Sequence, residues 1–253
     1  MPISSHLGLL LCGQIDQVGS DKCEVRDVLT YLNSAIASHV DDIPWVMKQS
    51  RARISRLAPF TARTLLELGV TALICRLDPT RLLFVKRVQE MPAYAPDRVW
   101  KTAIRWQGDV VADKVNQLWH EGASPKEMTR ALVGDYFSSL YWRPALQVFA
   151  DVSVVGHGAW LAAIQGLTAD AFIASRRSTL SSAFSESSKA IHHEYVVPVT
   201  SIYDKETSRQ LIARVLQVLA EFGFLINCLA HIPYRAEAAA TLLAVREIES
   251  YEV

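Results

Sequence analysis

The stretch Pro59-Phe60-Thr61-Ala62-Arg63-Thr64-Leu65-Leu66-Glu67-Leu68-Gly69-Val70-Thr71-Ala72-Leu73-Ile74-Cys75-Arg76-Leu77 decides the fold. Proline opens it, where a helix has no use for the missing amide. From Phe60 to Leu77 apolar residues cover most of the helical circumference. Arg63, Glu67 and Thr71 recur every four residues and leave only a narrow polar stripe. A helix apolar nearly all round belongs at the centre of a bundle. Gly69 lets a second helix cross closely. Arg63 and Glu67 can pair one turn apart. An internal ion pair is the expected role, because an isolated buried charge is costly.

A second central helix follows the same pattern. Asp204 caps the longest expected helix, to about His231, and Gln210, Arg214, Gln217 and Glu221 form its polar stripe. The chain therefore reads as all-α: a single large helical bundle of about eight to ten helices. Residues 1–253 form one domain, with 1–22 an irregular or interface N-terminal segment.

The other elements fall between these two. A helix runs from Cys23 to Val40, with Val25, Val28, Leu29, Leu32, Ala35 and Ile36 in register. Asp41-Asp42 caps a second helix that has Pro44 in its first turn and reaches Leu57. It carries Lys48, Arg51, Arg53 and Arg56. At about 100° per residue Lys48, Arg51 and Arg56 share one broad side. That side is either a phosphate-binding face for RNA or DNA or, more simply, a solvated surface. Asp78-Pro79 starts a helix to about residue 91, and Met91 to Pro96 must be loop. Asp97 caps a helix to His120. Ser124-Pro125-Lys126-Glu127 caps another to Trp142, and Pro144 punctuates after it. Gly156-His157-Gly158 is a hinge. Thr168 or Asp170 starts a serine-rich helix that ends in Ile191-His192-His193-Glu194. Val196 to Val199 is the one extended piece, and 234–250 is the last helix.

Composition narrows the function. Lys plus Arg and Asp plus Glu are 26 each, so net charge is zero. Any nucleic-acid surface must be a local patch. The four cysteines (Cys12, Cys23, Cys75 and Cys228) include no Cys-x-x-Cys pair. They read as packed, reduced thiols of a cytoplasmic protein. No stretch has the uncharged length of a membrane span, so no membrane role is expected. Adjacent His192 and His193 point about 100° apart on a helix and do not share a metal ion. Glycine-rich nucleotide loops, zinc-finger spacings and RNP aromatic strands are missing. No metal and no cofactor is expected.

The segment Ala62-Arg63-Thr64-Leu65-Leu66-Glu67-Leu68, followed much later by a polar helix ending in Ile191-His192-His193-Glu194, resembles the HEPN superfamily of helical bundles. It is more like the AbiV-type phage-defence branch than the best-known toxins. The likeness covers the two helices and the all-α order. It implies a metal-independent ribonuclease, in which an Arg stands roughly four to six residues before a His. Here Ser187, Glu186 and Ser185 occupy those places before His192, and Ser188, Ser187 and Glu186 before His193. The resemblance thus implies a degenerate nuclease site.

Three functions follow. The first is a non-catalytic subunit or regulator of a larger assembly in bacterial phage defence, with a protein partner or a second copy. The second is a ribonuclease using His192 or His193, with Arg63 or Arg177 supplying the guanidinium from elsewhere. The third is a nucleic-acid-binding module on Lys48, Arg51 and Arg56. The plainest reading of the two histidines is structural: one inside, the other favoured at a helix C-terminus by the helix dipole.

Overall fold

The computed structural model describes residues 1–15, 23–95, 97, 103–112, 121–122, 124, 129–192 and 196–253. Among the described residues 73% are helical, in 11 helices with no strand. The all-α expectation holds. The helices are α1 (Ile3–Cys12), α2 (Glu24–Val46), α3 (Arg51–Leu77), α4 (Pro79–Gln89), α5 (Asp135–Phe137), α6 (Arg143–Ala150), α7 (Ala159–Gln165), α8 (Ala169–His192), α9 (Val199–Ile202), α10 (Lys205–Cys228) and α11 (Ala238–Glu249). A π turn over Ser138–Trp142 joins α5 to α6.

α3 and α10 are the central pair. α3 packs on α1, α2, α4, α8, α9 and α10, and α10 packs on α1, α6, α8 and α11 as well. A Cβ on Gly69 would lie 2.6 Å from Leu219 Cδ2, so glycine does permit this crossing. With 27 residues α3, not the 24-residue α10, is the longest helix. Its extra length comes from Pro59, which lies inside α3 and does not open it. Ala58, Pro59, Thr61 and Ala62 are all buried, and tertiary packing carries the helix past the missing amide. Pro44 likewise lies inside α2, so Asp41-Asp42 caps nothing. The α2–α3 boundary falls instead at Ser50, whose carbonyl accepts from the amides of Arg53 and Ile54.

Several other boundaries move. Residues 3–12, expected to be irregular or interfacial, form a helix whose Leu7, Leu10, Leu11 and Cys12 are buried. Within the expected helix 97–120, residues 103–112 are not α-helical. Gly108 has φ of 95° and Gln107 is extended, and the expected helix residues 98–102 and 113–120 lie outside the described residues. This segment pairs with the chain after residue 130 instead. The amides of Leu132 and Val133 donate to the carbonyls of Asp109 and Val110. Of the helix expected from Ser124, residues 125–128 lie outside the described residues, 129–134 are not helical and α5 begins at Asp135, and Pro144 sits in the first turn of α6 without breaking it. Val196 to Pro198 is an exposed bend, not a strand. α10 ends at Cys228, three residues before His231, and α11 begins at Ala238. The Gly156-His157-Gly158 break is present, with both glycines at positive φ.

Two ionic knots hold irregular chain to helix. Buried Asp78 does not cap α4 with its side chain. It pairs with Arg81 at 3.2 Å and with Arg130. Arg81 also reaches Asp109 at 3.2 Å and the Arg130 carbonyl at 3.0 Å. The second knot is Arg76, buried at the end of α3. Its Nε donates to Pro233 O at 3.2 Å. Nη1 donates to Leu10 O at 3.1 Å and Leu11 O at 3.4 Å. Nη2 donates to Asn227 Oδ1 at 3.0 Å and Tyr234 O at 3.4 Å. A guanidinium has five N–H donors, and all five are used.

By length and composition alone α3 and α10 are apolar enough to cross a membrane. In the fold 61% and 78% of their apolar windows are buried, so that apolarity serves the core.

A Cβ on Gly223 would meet Leu10 Cβ at 2.8 Å and the Leu10 carbonyl carbon at 3.0 Å. Helix propensity favours alanine over glycine by about 1 kcal/mol, but backbone stands in the way. Gly223→Ala is expected to destabilise the fold by about 1–3 kcal/mol. Gly69→Ala, facing only the movable end of Leu219, is expected to cost less. Urea unfolding of both variants measures the difference.

Candidate functional site

Arg63 is the residue on which the sequence-based site converges. Its Nε donates to Glu67 Oε1 at 2.8 Å. Its Nη1 donates to Phe184 O at 3.3 Å and to Ser188 Oγ. The guanidinium carbon lies 3.3 Å from the Phe184 ring centroid, and Trp106 stacks on the same ring at 4.0 Å. Two planar groups this close to one ring must take opposite faces. Arg63 therefore joins α3 to α8 and, through Phe184, to the segment at Trp106. The Arg63–Glu67 pair exists, but not as the internal pair expected: Glu67 is 53% exposed against 17% for Arg63.

His192 is the last residue of α8 and is exposed. His193 and Glu194 lie outside the described residues. Arg63 meets α8 at Ser188, one turn before His192. Arg177 lies on the same helix but about 22 Å earlier, at ~1.5 Å per residue. Its Nε and Nη2 both donate to Val133 O, at 3.1 and 2.7 Å. Of the two candidate arginines, only Arg63 comes near the histidine end of α8.

The basic face does not form as expected. α2 ends at Val46, so Lys48 lies in the turn before α3 and shares no helix with Arg51 and Arg56. Arg51 Nε donates to Thr200 O at 3.1 Å. Arg56 Nε donates to Ala52 O at 3.0 Å within its own helix. Among the described residues no three His, Cys, Asp or Glu side chains are placed to hold a metal ion.

The polar stripe of α10 meets α8 in a seam that sequence alone did not assemble. Arg176 bonds both oxygens of buried Glu221, Nη2 reaching Oε1 at 3.0 Å. Gln217 donates to the same Oε1 at 2.9 Å. Nearby, Arg214 bonds Glu186 at 2.7 Å, and Ser182 donates to Glu186 at 2.9 Å. Burial raises the Glu221 carboxyl above its ordinary value, and Arg176 opposes that rise. The cleft over the seam holds about 260 Å³. The only sequence signal for it was the stripe Arg214, Gln217, Glu221; nothing there named Arg176 or Glu186 as partners.

A larger cavity lies on another side, between α2, α3, α4 and residues 103–104. It holds about 590 Å³. Val28, Leu32, Leu82, Val85 and Ile104 give it apolar walls, and Asp27, Glu67, Lys86 and Glu90 stand among its polar groups.

The thiols divide. Burial pushes Cys12, Cys75 and Cys228 up to about 12. Cys23 stands at the N-cap of α2 with its Sγ 3.3 Å from Tyr234 Oη. That hydrogen bond, with the amides of Arg26 and Val25, lowers its thiol.

No protein family, curated protein or solved structure matches the chain.

Removing one partner of a buried pair costs about 3–5 kcal/mol, because the other is left charged and unpaired. Glu221→Ala is expected to fall in that range. The double variant Arg176→Met/Glu221→Leu is expected to recover most of the loss. Urea unfolding at pH 7 of the two variants and the parent checks both.

Proposed function

We propose that this chain is a non-catalytic helical subunit or regulator of a larger assembly. The observation that supports this reading is where its guanidinium groups go. Arg51, Arg63, Arg76 and Arg177 each bond a main-chain carbonyl. They tie helices and loops together and are not gathered around a reacting group. His192 stands at an exposed helix end with no acid or guanidinium bonded to it among the described residues.

A partner surface is available on α2. Tyr31, Ser38 and Trp45 follow each other at seven-residue steps, so they line one face. Tyr31 is 71% exposed and Trp45 57%. Beside them the exposed Phe60 of α3 lies edge-on to His39 at 6.4 Å. Aromatic groups held out of the core in a row suit a protein interface. Placing such an assembly in the cytoplasm and in phage defence rests on the HEPN resemblance and the unpaired-cysteine pattern alone.

The ribonuclease alternative has one observation in its favour: Arg63 reaches α8 a single turn before His192. It requires that Arg63→Ala, and either His192→Ala or His193→Ala, abolish breakdown of a labelled single-stranded RNA. The subunit reading expects no breakdown by the parent protein.

Light scattering on the native-source protein tests the main proposal. A mass above 28.2 kDa is expected, falling to that value in Tyr31→Asp/Trp45→Asp with the helical circular dichroism unchanged. A parent protein that is strictly monomeric and brings no companion through purification overturns it.

A further inference from the structure

The cavity between α2, α3 and α4 has a charge balance that selects what it can hold. Its volume of about 590 Å³ falls among those of small-molecule sites, roughly 300–1,000 Å³. Val28 and Leu32 of α2, Leu82 and Val85 of α4, and Ile104 supply apolar wall. Three carboxylates line it: Asp27, Glu67 and Glu90. Glu67 is neutralised by Arg63 at 2.8 Å, and Glu90 by Lys86, itself a lining residue. Asp27 has no ion-pair partner among the described residues. Among the described residues the chamber therefore presents apolar walls and one carboxylate without an ion-pair partner at its edge. The phenol ring of Tyr31, also a lining residue, stands mostly in solvent beside it. An aromatic face attracts a cation as well.

The geometry points to a binding site for an apolar molecule bearing a single protonated amine, its hydrocarbon part among Val28, Leu32, Leu82, Val85 and Ile104 and its ammonium on Asp27 beside Tyr31. A neutral apolar molecule would gain the walls but leave Asp27 unanswered. A carboxylate of the same shape would meet Asp27 as a like charge. This inference goes beyond the assembly proposal and does not depend on it, since it reads binding to the purified chain alone.

Three isosteric probes test it by titration calorimetry: 4-phenylbutylamine, 4-phenylbutanol and 4-phenylbutanoate. The amine is expected to bind saturably at one site, about 1.4-fold to fivefold tighter than the alcohol, the range an exposed ion pair provides. The carboxylate is expected to bind weakest. Asp27 is exposed, so Asp27→Asn folds as the parent does. In it the affinity of the amine is expected to fall to that of the alcohol. Val28→Trp, or Val85→Trp if the first does not fold by circular dichroism, is expected to fill the chamber and abolish binding of all three. The proposal is overturned if none of the three binds the parent, if the amine is no tighter than the alcohol, if Asp27→Asn leaves the amine's advantage intact, or if a folded tryptophan variant binds as the parent does.

Discussion

The fold turns on one buried cation that has no carboxylate bonded to it among the described residues. Arg76 sits at the end of the central helix, closed off from water, and desolvation drives its guanidinium down to about 10. An isolated buried charge would be untenable. Here the solvent is replaced by oxygen dipoles from three places: the last turn of α1, the Asn227 side chain on α10, and the main chain at 233–234. Asn227 completes the arrangement. Its amide nitrogen donates to Leu10 O at 3.0 Å and to Gly223 O at 2.6 Å, and its Oδ1 also accepts from the Ala236 amide at 2.8 Å. Helix ends leave carbonyls without donors. α1 ends inside the protein, where water cannot serve them, and Arg76 and Asn227 do. The three segments are mutually dependent for this reason.

The same chemistry recurs outward. Arg51 takes the carbonyl of Thr200, Arg63 that of Phe184, Arg81 that of Arg130, Arg177 that of Val133, and Arg235 that of Asn227. The described residues between 103 and 134 are not regular α-helix, and their main-chain groups need partners as much as any others. Arginines projecting from regular helices supply several of them. The Asp78–Arg81–Asp109–Arg130 knot ties the segment to the start of α4 at residues 109 and 130, and the stack of Trp106 on Phe184, whose other face takes Arg63, fixes its beginning. A chain with equal numbers of acidic and basic residues can use its arginines in this way and still be neutral.

What could be read in advance was periodicity. The apolar circumference of 60–77 and 205–228 identified the central pair, and Gly69 marked their crossing. The Asp204 cap bonds the Thr207 amide as its position implies. Punctuation misled where packing overrode it. Pro44 and Pro59 look like helix starts, yet Pro44 lies in the last turn of α2 and Pro59 inside α3, because the turns around them are anchored by buried side chains. The basic group at 48–56 depended on that misplaced boundary. Residues 97–112 read as helix by apolar spacing, but Gly108 at positive φ and the carboxylate of Asp109, bonded to the Arg105 amide at 2.8 Å, turn the chain instead. In the candidate site, the Arg63–Glu67 pairing was legible because both partners lie on one helix. Ser188, Phe184 and Trp106 were not, since nothing local ties residue 63 to residues 106, 184 and 188. Arg76 was the largest omission. Its polar character looked like an ordinary helix end, and its partners are carbonyls that carry no sequence signature at all.

The bond between Leu10 and Asn227 closes a loop of 217 residues. On a ribosome α1 is made well before its berth, since it packs on α10 and α11. Until residues 205–249 emerge, the face bearing Leu7, Leu10 and Leu11 has only α2 and α3 to lie against. Contacts this remote in sequence form slowly, and an apolar helix waiting for its partner is open to chaperones and to aggregation. α1 is thus fixed in place by elements that follow it by 217 residues.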